Sequence, residues 1–132
     1  MNNLDWDAVS VGLKTPFKAN ILSWRPQGKV QLAYITSRDV MKRLDDVVGA
    51  ENWQDRYEEC SGRIICYLSV RVDGEWITKS DGSGDTKIEG DKGGISGAFK
   101  RAATRWGIGR YLYYLPSNAG PNNMPSWAVP GE

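Results

Sequence analysis

"IICYLSVRVDGEWITKSD", residues 64–81, decides the fold. Ile64, Cys66, Leu68, Val70 and Val72 recur at every second position, which puts them on one face of a strand. Asp73-Gly74 then supplies a residue pair that tolerates the left-handed backbone of a tight hairpin turn. "EWITKSD" (75–81) returns as the next strand. Upstream, "WQDRYEE" (53–59) reads as another strand, joined through the turn "SGR" (61–63). An antiparallel three-stranded sheet with one apolar face follows. That face needs a cover.

The cover is predicted from "GGISGAFKRAATRWGIGRYL" (93–112). Ile95, Ala98, Phe99, Ala102, Ala103 and Trp106 fall on one stripe at helical period, and this stripe must face the sheet. Gly97, Lys100, Arg101, Thr104 and Arg105 occupy the opposite side. No carboxylate occurs between Lys92 and Arg110, so nothing local is expected to neutralise these cations. Gly93, Gly94 and Gly97 cost ~1 kcal/mol each inside a helix relative to Ala, and they let a backbone or a phosphate come close. Gly107 and Gly109 stop the helix, and Arg110, Tyr111, Tyr113 and Tyr114 read as a basic-aromatic strand end. The stretch 82–94 is expected to be a flexible glycine-rich loop, with Asp91 as the N-cap of the helix.

Before the sheet, residues 3–13 read as a short helix ending before Pro16, against the disfavour of Val9, Val11 and Gly12. "KANILSWR" (18–25) and "KVQLAYI" (29–35) read as strands around the turn "PQG" (26–28). "TSRDVMKRLDDVVG" (36–49) is a helix with an N-cap at Thr36 or Ser37 and an apolar stripe of Val40, Met41, Leu44, Val47 and Val48. The predicted order is β-β-α-β-β-β-α, an α+β domain of antiparallel sheet packed on helices. Residues 1–115 form the domain, and 116–132 read as a flexible tail of the kind left where a longer chain is cut.

Composition narrows the chemistry. The chain has 132 residues, one domain by length, with 40% hydrophobic residues to build a core. Lys and Arg total 17 against 16 Asp and Glu, so any polyanion must meet a local patch rather than a globally basic surface. Six Trp and six Tyr supply core and stacking faces. The absence of His removes the commonest general base and metal ligand. Cys60 and Cys66 read as reduced thiols in a cytosolic protein without a signal peptide or membrane span. No phosphate-binding GxxxxGK[ST] loop occurs, and "DGSGDTKIEGD" (81–91) lacks the offsets of a calcium loop. Neither a cofactor nor a metal is expected. The enzymatic alternative is a metal-dependent nuclease in which Asp73 and Asp85 hold Mg²⁺ and Lys87 aids the attacking water. Asp73 is half of a hairpin turn, and Asp85 and Lys87 fall in a glycine-rich segment, so the chain is read as a non-enzyme.

Three stretches together resemble the Rad52 family of single-strand annealing proteins, above all its phage and bacterial members. They are "LAYITSRDVMKRLDDVVGAENWQDRYE" (32–58), "ICYLSVRVDGEWITKSDGSG" (65–84) and "GAFKRAATRWGIGRYLYYL" (97–115). The resemblance implies a β-β-β-α core whose subunits form a homo-oligomeric ring. Single-stranded DNA would lie in a basic groove around it, backbone held and bases outward, and anneal without ATP in recombination and repair. Lys100 and Arg101 match the family's Lys-Arg pair on the helix that floors the groove. The next basic residue of that pattern falls at Thr104, and this chain has Arg105 one position on. A DNA-contacting Arg of the family aligns with Asp39, and Arg38 is its neighbour. Arg105, Arg38 and Lys92 therefore join Lys100 and Arg101 as DNA-binding candidates. Lys42 and Arg43 are balanced by Asp39, Asp45 and Asp46 and read as a solvated or intersubunit ion-pair face. A single-strand-binding protein or a recombination exonuclease is the further partner class implied, with DNA in the bacterial or phage-infected cytoplasm as the setting and no membrane.

Overall fold

The computed structural model describes the backbone of residues 4–83 and 86–130, and the side chains of the same residues except 86–93. The elements in chain order are α1 (Trp6–Lys14), β1 (Ser23–Gln27), β2 (Val30–Tyr34), α2 (Ser37–Val47), β3 (Trp53–Cys60), β4 (Arg63–Val72), β5 (Glu75–Gly82) and α3 (Thr86–Arg105). β1 and β2 form a separate antiparallel ribbon, and β3-β4-β5 form the main sheet with β4 in the centre. The α+β reading and the strand-strand-strand-helix core hold.

The β4–β5 register pairs Cys66 with Asp81, Leu68 with Lys79 and Val70 with Ile77 around the Asp73-Gly74 turn. Asp73 takes φ 52° and Gly74 φ 80°, the left-handed geometry expected of the turn. Cys66, Leu68, Val70 and Val72 are buried, and Ile64 at the start of the strand is half-buried. α3 covers this face with Ala98, Phe99, Ala102 and Ala103, and Trp106 follows just past its end. The Trp106 Nε1–H donates 3.0 Å to the Leu68 carbonyl, which fixes the end of the helix to the central strand.

α1 forms despite its β-branched residues, because Asp5 caps it by accepting from the Ala8 amide at 2.7 Å, and Val9 and Leu13 are buried. At Gly12 of α1 there is no room for a side chain against α2. A Cβ there would lie 2.8 Å from Val47 Cγ1. α2 begins with a capping box in which Thr36 and Asp39 each accept from the other's backbone amide. Val40, Leu44 and Val48 are buried as expected, but Met41 is 38% exposed at the rim of the stripe.

Several sequence expectations change. Ala19–Ile21 form a 3-10 turn, so the first strand begins only at Ser23. Pro26 and Gln27 lie in β1, and the turn is Gly28-Lys29 with Gly28 at φ 62°. A two-stranded ribbon has two free edges, so a proline without an N–H is tolerated. α3 starts at Thr86, where a loop was expected, and Asp91 lies within it rather than capping it. Its four glycines cost about 4 kcal/mol against alanine. Helix propagation from the packed C-terminal half and burial of Phe99 offset that cost. Ile95 is 48% exposed, although it is in phase with the buried stripe. Arg101 already stands beside Asp81 near the end of β5, so the turn carrying Ile95 overhangs the sheet. Arg110–Tyr114 are a 3-10 turn, not a strand, entered through Gly107 (φ 95°) and Gly109 (φ 73°). In residues 116–130, Ala119 and Ala128 are buried.

Leu68 is fully buried under α3. Leu68→Ala is expected to lower the unfolding free energy by about 2–5 kcal/mol, read from the shift of the urea midpoint at unchanged slope.

Candidate nucleic-acid interface

Helical period sends successive α3 cations to different neighbours. Lys100 turns toward the β1–β2 ribbon, where its ammonium lies 5.9 Å from the Tyr34 ring centre. One turn earlier, the Ser96 and Ser37 hydroxyls share a hydrogen bond of 2.7 Å. This bond ties the start of α2 to α3, and Arg38, the next residue of α2, is exposed. Asp39, beside it, accepts from the Thr36 amide and hydroxyl at 2.8 and 2.9 Å and serves the helix cap.

Arg101 and Arg105 turn the other way, toward β5. Both side chains remain well exposed, at 57% and 59%. The expectation that nothing local offsets them is corrected here. Asp81 of β5 sits between the two, 3.2 Å from Arg105 Nε and 3.8 Å from Arg101 Nε. The partner comes from the sheet and not from the helix. A signal did exist. Lys79 and Asp81 pair with Leu68 and Cys66, so strand alternation sends both toward the helix-covered face. Charged residues at inward positions of an edge strand guard it against pairing with another chain, and here they point toward the covering helix.

The end of α3 is neutralised from its own surroundings. Arg110 Nε donates 2.8 Å to the Thr104 carbonyl, and Arg110 Nη2 donates 3.0 Å to the Arg105 carbonyl. Lys79 Nζ also reaches the Arg105 carbonyl, at 3.4 Å. Cations at a helix C-terminus offset its partial negative charge. Thr104 donates its hydroxyl 2.6 Å to the Arg101 carbonyl, so it contributes no outward charge. The crest of α3 is therefore Gly97, Lys100, Arg101, Thr104 and Arg105; Arg38 is exposed at the start of α2, and the structure does not bring it to the crest by any contact among the described residues. The Lys92 side chain lies outside the described residues.

The α2 cations divide as well. Lys42 pairs with Asp46 of its own helix at 2.8 Å on the surface. Arg43 does not join an ion-pair face. Its Nη1 reaches the carbonyls of Leu13 and Thr15 at 3.2 and 2.6 Å, and its guanidinium stacks 4.0 Å from the Phe17 ring centre. It closes the end of α1. Burial lowers its pKa, with Tyr111 and Asp46 opposing.

For the nuclease alternative, Asp73 occupies the β4–β5 turn, while Asp85 and the Lys87 side chain lie outside the described residues. Among the described residues, no group of three or more Cys, Asp or Glu stands close enough to hold a metal ion. No helix of the described residues is long and apolar enough to cross a membrane.

Both cysteines are free thiols, Cys60 exposed and Cys66 buried. Burial pushes the Cys66 thiol up to about 11, with the Tyr57 hydrogen bond opposing and the Asp55 charge adding. Cys60 borders a shallow cavity that Arg101 and Arg63 also line. A thiol-specific disulfide reagent at pH 8 is expected to titrate one thiol in the native protein and two after unfolding. Equal reaction of both native thiols would contradict the burial of Cys66.

The chain was compared with known proteins. Residues 5–126 match the model of the Rad52/22 family of double-strand break repair proteins. The chain is 31% identical over 142 residues to the single-stranded DNA-binding protein DdrA of Deinococcus radiodurans, an alignment covering 92% of this chain and 68% of the relative. It is also 31% identical over 144 residues to the DdrA of Deinococcus deserti, covering 92% and 70% of the two chains.

Proposed function

The chain belongs to the Rad52/22 family, and from that premise we propose that it binds single-stranded DNA and anneals complementary strands, with the α3 crest as its phosphate-binding surface. The observation that carries this reading is that Lys100, half-buried, and the exposed Arg101 and Arg105 lie on the side of α3 turned away from the sheet. The DdrA relatives, named as single-stranded DNA-binding proteins, support it.

The chemistry required is modest. Two strands repel through their phosphates, and cations spaced along a helix offset that repulsion while leaving the bases free to pair. No bond is made or broken, so binding alone suffices and no nucleotide triphosphate is consumed. β3 and β5 are the edge strands of the main sheet, and their free edges suit assembly of copies into a ring along which the crests would line a continuous groove. Arg101 and Arg105 would exchange Asp81 for phosphate when DNA arrives. Their shared carboxylate holds them extended over β5 beforehand, at the cost of some net positive charge.

Replacing Lys100 and Arg101 together by alanine is expected to abolish annealing of complementary oligonucleotides while far-UV circular dichroism stays unchanged. The slope of log K against log salt should become shallower by about 1.4, since each single-strand phosphate contact contributes about 0.7. Annealing at the wild-type rate would place the groove elsewhere.

Asp81→Asn has the opposite sign. Removing one unit of negative charge beside the two guanidiniums should tighten single-strand binding at low salt by about fivefold, the equivalent of ~1 kcal/mol for unit charges at contact distance in water. The gain should vanish near 1 M salt. Weaker binding of this variant at low salt would mean that Asp81 orients the arginines more than it competes for them.

A further inference from the structure

At the C-terminal end of α3 lies a cavity of about 410 Å³ that the basic crest does not use. α1 and β5 wall it on two sides, and the 3-10 turn at Arg110–Tyr114 closes a third. Its size falls in the roughly 300–1,000 Å³ range of clefts that hold small organic ligands. Lys14, Lys79, Arg105 and Arg110 contribute to its lining, and no carboxylate does. In a chain with 17 cations and 16 carboxylates, that sorting of charge is marked.

The cations retain donors for a ligand. Lys79 uses one contact on the Arg105 carbonyl, and its ammonium stands 5.2 Å from the Trp6 ring centre and 5.0 Å from that of Trp106. Arg110 uses Nε and Nη2 on carbonyls of α3, which leaves Nη1. Lys14 is exposed and has no partner among the described residues. The aromatic side chains divide by role. Trp106 is buried and tied to Leu68, and the Tyr111 hydroxyl accepts from the Phe17 amide at 2.9 Å, so both belong to the scaffold. Trp6 and Tyr114 are 44% and 71% exposed and present ring surface at the cavity.

Exposed aromatic faces beside unspent cations match a planar base joined to a phosphate. We propose that this cavity takes one nucleotide of a DNA strand, with the base against Trp6 and Tyr114 and the phosphate among Lys14, Lys79 and Arg110. The proposal rests on the single-strand DNA reading above. Arg105 belongs both to the crest and to the cavity lining, so a strand leaving the crest would enter the cavity without a break in positive charge. The cavity holds its nucleotide by the base as well as the backbone, unlike the crest, which holds phosphates alone.

The test is binding of the full chain to labelled oligo(dT) and to an abasic oligonucleotide of equal length. Trp6→Ala and Tyr114→Ala are each expected to weaken oligo(dT) binding about tenfold and to leave abasic binding unchanged. Lys14→Gln, at an exposed position, should weaken both strands equally. Tyr114 is exposed enough that its replacement leaves the fold intact, so it serves where Trp6→Ala disturbs α1. The proposal is overturned if Tyr114→Ala and Lys14→Gln bind both strands within twofold of wild type. The Lys100→Ala/Arg101→Ala variant runs alongside. If that variant binds normally while Tyr114→Ala and Lys14→Gln do not, the crest reading fails and the cavity stands. The reverse pattern removes the cavity and leaves the crest.

Discussion

The contact between α3 and the central strand β4 governs the rest of the molecule. Ala98, Ala102 and Ala103 are small enough to bring the helix close to the sheet, and the Trp106–Leu68 hydrogen bond fixes how far along the strand it sits. A helix held in rotation and translation has no freedom over its outward residues. Once Phe99 and Ala102 point down, Lys100, Arg101 and Arg105 cannot. The basic crest is thus a consequence of apolar packing, and the packing has no alternative phase that would bury the cations at tolerable cost.

The same seating brings β5 into the site. Strand alternation turns Lys79 and Asp81 toward the helix, and the position of α3 places its C-terminal turns over them. One inward carboxylate then serves two arginines, and one inward ammonium serves the helix end and two tryptophans. Neither residue makes sense as a sheet residue alone. Together they divide the surface around α3 into a crest open to an extended strand and a cavity at its end, with Arg105 common to both.

The remaining elements hold this arrangement from the other side. Arg43 is spent on the carbonyls that end α1, and the Asp39 carboxylate is spent on the cap of α2. Both look like surface charges in the sequence, and both act on backbone groups left unpaired at helix ends. α1, which supplies a wall of the cavity, packs against Val47 of α2 at Gly12, where a side chain would collide.

The sequence by itself determined the three strands of the main sheet, the Asp73-Gly74 hairpin and the face that α3 buries, while Arg63, read as part of a turn, pairs with Cys60 at the start of β4. These depend on local periodicity and on the Asp73-Gly74 turn, which act over a few residues. It also marked Lys100 and Arg101 as outward, because a 3.6-residue period sets phase without reference to anything else. It misjudged the start of α3 and the exposure of Ile95, since helix propagation and overhang depend on where the sheet ends. The tertiary structure alone decided that Asp81 pairs with Arg101 and Arg105, that Arg43 closes α1, and that Lys14, Lys79 and Arg110 meet around Trp6. Those groups come from segments far apart in the chain. Their meeting is set by how helices seat on a sheet, and no pattern within one segment encodes it.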